Sequence, residues 1–298
     1  MGPPRGWPRP AGLKKGRYRH MIRILTDSTA DLDPGFAAQM DVTVVPLRVL
    51  FDGESFRDGI DLSADAFYDR LAHSQQLPTT SQPTPDDFLP YFLAAKEAGD
   101  SLVAILLSAA ISGTVQSALI AKEMAEYDGI YVIDSMTTIT GQRLLVGEAC
   151  KLRAQGMAAE EMVAALEAMK HRVVLYAIFD TLEYLYKGGR LSRVGMVAGS
   201  LLNLKPIITF SEGALKVAGK SRGTGKSVQF ILDAMERTGV ASCSPILFGY
   251  SASDEKLRIL RDAVLARYSS ADTSTAPVGS VVGTHAGPGA AAISYLMP

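Results

Sequence analysis

Three short segments combine hydroxyl, glycine and imidazole groups in a way that could bind an anion. Residues 78–83 place three consecutive hydroxyl side chains between two prolines, with Thr80 and Ser81 among them. Residues 112–114, Ser-Gly-Thr, precede a segment of helical periodicity, where exposed N–H groups and the helix dipole favour negative charge. His285 lies in a loop rich in glycine and proline, and imidazole can donate a hydrogen bond to a carboxylate or act as a base. These residue types predict a site for an oxyanion.

Each segment also has a purely structural interpretation. Residues 78–83 could be a turn that caps a helix starting near Asp86, Ser112 could be a simple N-cap, and a lone histidine is more often structural. Two cationic loops, 187–192 and 220–226, suit a phosphate or a charged partner, but also plain solvated surface. The second loop is not a P-loop, because Lys220 stands where that motif needs its first glycine.

Alternating strand and helix patterns in the first half of the chain must position these loops. Strands are expected at 22–25, 42–51, 101–107 and 129–133, with helices between and after them. This alternation predicts a parallel sheet with helices on both faces, whose post-strand loops gather along one ligand-binding edge. Small polar clusters occupy three of those loops, at Thr26-Asp27-Ser28, at 108–114 and at 134–138.

The pattern changes near residue 170. Strands are expected at 173–179, 206–210 and 215–218, around a hairpin signal at Ser211-Glu212-Gly213, and again at 245–250 and 279–284. We therefore predict an α/β protein of two domains, residues 21–170 with the parallel sheet and residues 171–298 with a mixed sheet. Residues 1–20 are expected to be a disordered basic extension, and Met21 could be the true start.

Composition limits the classes of function. The 298 residues are 47% hydrophobic with a formal net charge of −1, which suggests no nucleic-acid partner. No apolar run approaches the ~20 residues that span a bilayer, so transient membrane contact is the most we expect. The two cysteines have no metal-binding spacing. We predict a cytoplasmic protein without metal or cofactor.

Five motifs in order resemble the DegV family. They begin with Thr26-Asp-Ser-Thr-Ala-Asp-Leu32 and end with Gly283-Thr-His-Ala-Gly-Pro-Gly-Ala290; between them lie 78–83, Leu107 to Ala118, and Asp180 to Ser192. Each motif alone is weak, whereas five in family order are specific and cover nearly everything after Met21.

The resemblance implies a fatty-acid-binding protein with the acid buried between two α/β domains. It further implies a non-catalytic carrier whose bound carboxylate is phosphorylated by a separate ATP-dependent fatty acid kinase subunit, for use in phospholipid synthesis. By matching positions, Thr80, Ser112 and His285 would bind the carboxylate with the N–H of Gly113. Arg190 and Arg222 would face the kinase or the new phosphate, and Ser28 and Ser81 would belong to pocket loops.

Three other readings stay open at this point. Ser112 and His285 could be the nucleophile and base of a lipid esterase, with Asp27 or Asp134 as the orienting acid, although Ser112 does not lie in a Gly-x-Ser-x-Gly elbow. Residues 220–227 could form a nucleotide switch. The chain could also be a scaffold that carries lipid incidentally.

Overall fold

A computed structural model describes residues 21–191 and 204–298. The predictions made for residues 1–20 and for Ser192 lie outside these ranges. The described strands, β1–β13, are Ile22–Asp27, Val42–Val45, Arg48–Phe51, Glu54–Arg57, Thr79–Ser81, Ser101–Leu106, Ile130–Asp134, Val173–Ile178, Leu204–Ser211, Ala214–Arg222, Ile246–Tyr250, Thr273–Pro277 and Ala291–Leu296. The described helices, α1–α10, are Pro34–Gln39, Ala64–His73, Pro85–Ala98, Thr114–Ala125, Ile139–Ala154, Ala159–Lys170, Glu183–Lys187, Thr224–Thr238, Glu255–Arg267 and Ser280–Ala286.

Strands β1, β2, β6 and β7 form the predicted parallel sheet, in the order β2-β1-β6-β7. The central strand β6 shows why helices cover both of its faces. Leu102, Ala104 and Leu106 pack in the core formed with α3 and α4, whereas Val103 and Ile105 pack in the core formed with α5 and α6. A strand buried on both faces is apolar at every position, as parallel sheets require.

The second half of the chain forms the expected mixed sheet, in the order β10-β9-β8-β13-β11-β12. Strands β11 and β12 run parallel, and the other neighbours are antiparallel. The hairpin between β9 and β10 turns at Glu212 and Gly213, where the sequence predicts it. The four-stranded sheet lies wholly before residue 170 and the six-stranded sheet wholly after it, but a domain boundary there stays a prediction.

A third, antiparallel sheet has the order β4-β3-β5. Its formation divides the run 42–51, expected as one strand, into β2 and β3 in different sheets. Pro46 lies between them and has no N–H to continue a ladder. The expected hydroxyl loop at 78–83 contains the short strand β5, in which Thr80 pairs with Val49 of β3.

The strand expected at 279–284 is wrong, because this segment is the helix α10. Its β-branched residues Val281 and Val282 suggested a strand. Two distant carboxylates override that preference by accepting hydrogen bonds from the first N–H groups of the helix. Asp31 Oδ1 accepts from the N–H of Gly279 and Asp58 Oδ1 from the N–H of Ser280, each at 2.9 Å.

Helix α5 lies between the two large sheets. Leu144, Val146 and Ala149 of this helix share one core with Val103 of the parallel sheet and Leu247 of the mixed sheet. Every residue of α5 from Ile139 to Cys150 is buried, including polar side chains such as Gln142 and Arg143. Within residues 21–191 and 204–298, no helix combines the length and hydropathy that crossing a bilayer demands.

Candidate functional site

Thr80 and His285 are in direct contact, although 205 residues separate them in the sequence. Thr80 Oγ1 lies 2.9 Å from His285 Nε2. Thr80 belongs to β5, and His285 lies in the last turn of α10. The imidazole tautomer decides which atom donates, because a hydroxyl and a ring nitrogen can each donate or accept. The fold thus joins two of the three side chains expected at the oxyanion site.

His285 is neutral at pH 7. Burial lowers the pKa of its imidazole to about 4, and the positive charge of Arg190 acts in the same direction. Nδ1 is buried and finds no hydrogen-bond partner within the described residues. Gly188 packs against this nitrogen so closely that a Cβ there would collide with it. A neutral ring can donate one N–H to an anion without placing a fixed cation beside it.

Ser112 lies in the loop between β6 and α4. Its hydroxyl is 2.9 Å from the hydroxyl of Thr114, the first residue of α4. Gly113 is the N-cap of α4, and a Cβ at this position would collide with the amide of Gln82. Gln82 in turn donates to the hydroxyl of Ser117 at 3.1 Å. The helix start is therefore packed closely against the chain that follows β5.

A cavity of about 270 Å³ opens beside these groups. Thr80, Ser112 and His285 all line it, and most of its remaining wall is aliphatic or aromatic. The wall includes side chains that follow strands of the parallel sheet, such as Leu47 and Leu107, and others from the mixed sheet. The cavity therefore lies at the predicted edge of the parallel sheet, and its lining suits an apolar chain with a polar group.

A second, more polar pocket of about 500 Å³ adjoins the polar end of the cavity. Thr80, Arg190 and His285 line both spaces, whereas Lys187 lines the outer pocket. Arg190 is held between two loops, since Nε donates to the carbonyl of Ile111 at 3.3 Å and one terminal nitrogen donates to the carbonyl of Gly188 at 2.6 Å. The Thr80–His285 pair thus stands between an apolar interior and a cationic exterior.

The other expected site residues fall in different places. Ser81 lines the cavity. Ser28 does not; its hydroxyl accepts a hydrogen bond from the N–H of Leu47 at 3.1 Å and so positions a residue that does. Arg222 is exposed at the end of β10, and neither Arg222 nor Gly113 lines either of these two pockets. The binding roles expected for these residues stay predictions.

The geometry does not assemble a catalytic triad around Ser112. The hydroxyl of Ser112 contacts Thr114, and Nδ1 of His285 has no carboxylate partner within the described residues. Asp27 instead accepts from the N–H of Leu107 at 2.8 Å, and Asp134 accepts from the N–H of Met136 at 2.8 Å. Residues 21–191 and 204–298 hold no cluster of His, Cys, Asp or Glu that could bind a metal.

Sequence reasoning missed two residues that shape the site. Gln82 lines the cavity and covers the start of α4, and Gly188 makes room for His285. The sequence identifies Gly188 only as part of the cationic loop 187–192. Its neighbour in space, His285, is almost 100 residues away in sequence, so no local pattern could have paired them.

Comparisons with known proteins agree with this architecture. The family model described as "Uncharacterised protein, DegV family COG1307" matches residues 21–297. A DegV domain-containing protein of Caldanaerobacter subterraneus is 35% identical over 275 residues, covering 92% of this chain and 98% of the relative. A fatty-acid-binding DegV family protein of Thermus thermophilus has a TM-score of 0.86 at 32% identity, covering 93% and 100% of the two chains. A stearic-acid-binding protein of Eubacterium ventriosum has a TM-score of 0.84 at 26% identity, covering 93% and 98%.

Proposed function

Because the chain belongs to the DegV family, we propose that it binds one long-chain fatty acid and presents the carboxylate of that acid to a separate kinase. The observation that carries the proposal is the position of the Thr80–His285 pair between an apolar cavity and a cationic outer pocket. The solved DegV relatives that bind fatty acids support the choice of ligand class.

The apolar cavity provides the affinity for the acyl chain. A buried methylene contributes about 0.8 kcal/mol, so roughly 14 of them contribute about 11 kcal/mol before the costs of ordering the ligand. Leu175, Ile208 and Phe210 of the mixed sheet are among the side chains that would surround the chain.

Neutral donors bind the carboxylate. Burying a carboxylate is costly unless hydrogen bonds replace those of water. The hydroxyls of Thr80 and Ser112 and the imidazole of His285 are three such donors, and all three residues line the cavity. None of these three donors is a fixed cation; Arg190, which also lines the cavity, donates hydrogen bonds to the carbonyls of Ile111 and Gly188.

The outer pocket is where we place the partner kinase. In the proposed step the carboxylate oxygen attacks the γ-phosphorus of ATP on the kinase, and acyl phosphate and ADP result. Arg190 and Lys187 line this side of the Thr80–His285 pair and would stabilise the added negative charge. The acyl phosphate would then serve phospholipid synthesis.

Native mass spectrometry of delipidated protein, reloaded with hexadecanoic acid, tests the binding step. We expect one acid per chain, and weaker binding in Thr80→Val and in the double variant Ser112→Ala, His285→Ala. Thr79→Val is the matched control, since Thr79 is the neighbouring residue of β5 and does not line the cavity. Undiminished binding by the double variant would contradict the assigned carboxylate site.

A label-transfer assay tests the kinase step. Protein loaded with hexadecanoic acid is incubated with γ-labelled ATP and lysate of the native host, and labelled acyl phosphate is extracted. We expect product with lysate and none with ATP alone. An Arg190→Ala variant should load acid but yield less product. If this variant yields as much acyl phosphate as the wild type, Arg190 does not contribute to the kinase step.

A further inference from the structure

The face of the mixed sheet that lines the cavity carries a row of very small residues. Ala177 of β8 pairs with Ala292 of β13, and Ala292 pairs with Gly249 of β11. All three line the cavity. Adjacent strands lie about 4.8 Å apart, so the row extends roughly 10 Å across the sheet. A larger side chain at any of these positions would occupy space that the cavity now has.

This row lies at the end of the cavity away from His285. Gly249 is next to Val278, because a Cβ on Gly249 would lie 3.7 Å from Val278 Cγ2 and 3.8 Å from Ala292 Cβ. Val278 immediately precedes the N-cap of α10, and His285 lies in the last turn of that helix. Seven residues at 1.5 Å per residue separate the two by about 10 Å.

Larger and hydrogen-bonded groups close the cavity beyond the row. The next residues along the same strands and on the same face are Leu175, Ser294 and Leu247, which pair in register. The hydroxyls of Ser294 and Thr140 are 2.7 Å apart and both residues are buried. A Cβ on Gly249 would also lie 3.3 Å from Thr140 Cγ2, so helix α5 forms the wall at this end.

We propose that Ala177, Ala292 and Gly249 set the longest acyl chain that the cavity accepts. The inference rests on the proposed function, because it takes the carboxylate to lie at Thr80 and His285. Protein interiors are close-packed, so atoms added at the row displace a similar volume of ligand. Replacing Ala292 with leucine adds three carbons and should shorten the preferred chain by about three methylenes.

The experiment is competitive loading followed by native mass spectrometry. Delipidated protein is mixed with equimolar decanoic, dodecanoic, tetradecanoic, hexadecanoic and octadecanoic acids, and the bound acids are compared. Ala292→Leu should shift the distribution to shorter acids, and Gly249→Ala should shift it less in the same direction. Leu175→Ala, which opens the closed end, should shift it to longer acids. Ala98→Leu, the same change at an exposed position of α3, should leave it unchanged.

The outcomes distinguish a failure of the proposed function from a failure of the inference about the row of small residues. If the wild-type protein retains none of the five acids, the proposed function fails. If the wild-type protein binds acids and a folded Ala292→Leu variant shows the wild-type distribution, the inference about the row is overturned. If Ala292→Leu does not fold or retains no acid, the other two variants test the inference. It is overturned unless Gly249→Ala shifts the distribution to shorter acids and Leu175→Ala shifts it to longer acids.

Discussion

Asp58 accepts two hydrogen bonds from Ser280, one from its backbone N–H at 2.9 Å and one from its hydroxyl at 2.6 Å. This contact connects the residue that follows β4 to the first turn of α10, the helix that carries His285. Asp58 is nearly fully buried, and burial raises the pKa of its carboxyl. Asp31 holds the preceding residue, Gly279, in the same way.

Replacing Asp58 with alanine should therefore destabilise the protein and weaken acid binding. The change leaves two buried donors of Ser280 without an acceptor, which costs about 1–3 kcal/mol for each unsatisfied group. Thermal unfolding and fatty-acid titration measure the two effects. Asp128→Ala, at an exposed turn, is the control. Wild-type affinity in a destabilised Asp58→Ala variant would show that α10 does not need this anchor to place His285.

His285 should make the stability of the delipidated protein depend on pH between about 6.5 and 4. Its pKa is lowered from 6.5 to about 4 in the folded protein. As pH falls through this window the unfolded chain takes up a proton that the folded chain does not, so stability is lost, on the order of 3 kcal/mol.

Urea unfolding at a series of pH values measures this loss. Buried carboxyls with raised pKa values, such as that of Asp31, act in the opposite direction, so the comparison must be with a variant. His285→Asn should lose less stability than the wild type on acidification. His171→Asn, which removes an exposed histidine, is the matched control. Identical pH dependence in the wild type and His285→Asn would refute the lowered pKa.

Removing the charge of Arg190 should raise the pKa of His285. The positive charge of Arg190 is the second cause of the lowered value, after burial. In Arg190→Gln the His285 pKa should move towards its usual range, yet stay below it because burial remains. NMR titration of the imidazole ring measures the shift. Lys187→Gln removes a cation that pairs with Glu183 at 2.6 Å and should leave the His285 pKa where it is.

Gly188→Ala should displace the His285 ring from Thr80. The added methyl would collide with Nδ1 and lie 3.0 Å from the carbonyl oxygen of Tyr184, and overpacking of this kind costs about 1–3 kcal/mol. We expect fatty-acid affinity to fall by about tenfold or more, which 1.4 kcal/mol would produce. Gly225→Ala, where a Cβ meets nothing within 4 Å, is the control. Unchanged fatty-acid affinity in Gly188→Ala would mean that the position of the His285 ring does not determine the affinity.

The sequence predicts those parts of the fold that local patterns determine. The apolar strand β6 and the turn at Gly213 follow from periodicity and turn chemistry, and both are where they were expected. Local sequence predicts a strand where α10 lies, because the contacts that stabilise this helix, from Asp31 and Asp58, come from more than 200 residues away.

The same distinction between local patterns and tertiary contacts applies to the candidate site. Residue types and resemblance selected Thr80, Ser112 and His285, and the fold places all three on one cavity. The packing of Gly188 on His285, the cover that Gln82 gives to α4, and the row of small residues on the mixed sheet depend on tertiary contacts. Strand register and helix packing create them, and neither can be read from single segments.

Under the proposed function, the position of α5 limits how a fatty acid would enter or leave the cavity. Its apolar surface is shared by the two large sheets, so a hinge motion that parted them would expose a helix buried along most of its length, at a large hydrophobic cost. Local movement beside the outer pocket would expose less apolar surface. The three-residue strand β5 pairs with β3, and its Thr80 lines both the cavity and the outer pocket, so under the proposed function we expect the acid to exchange past this strand.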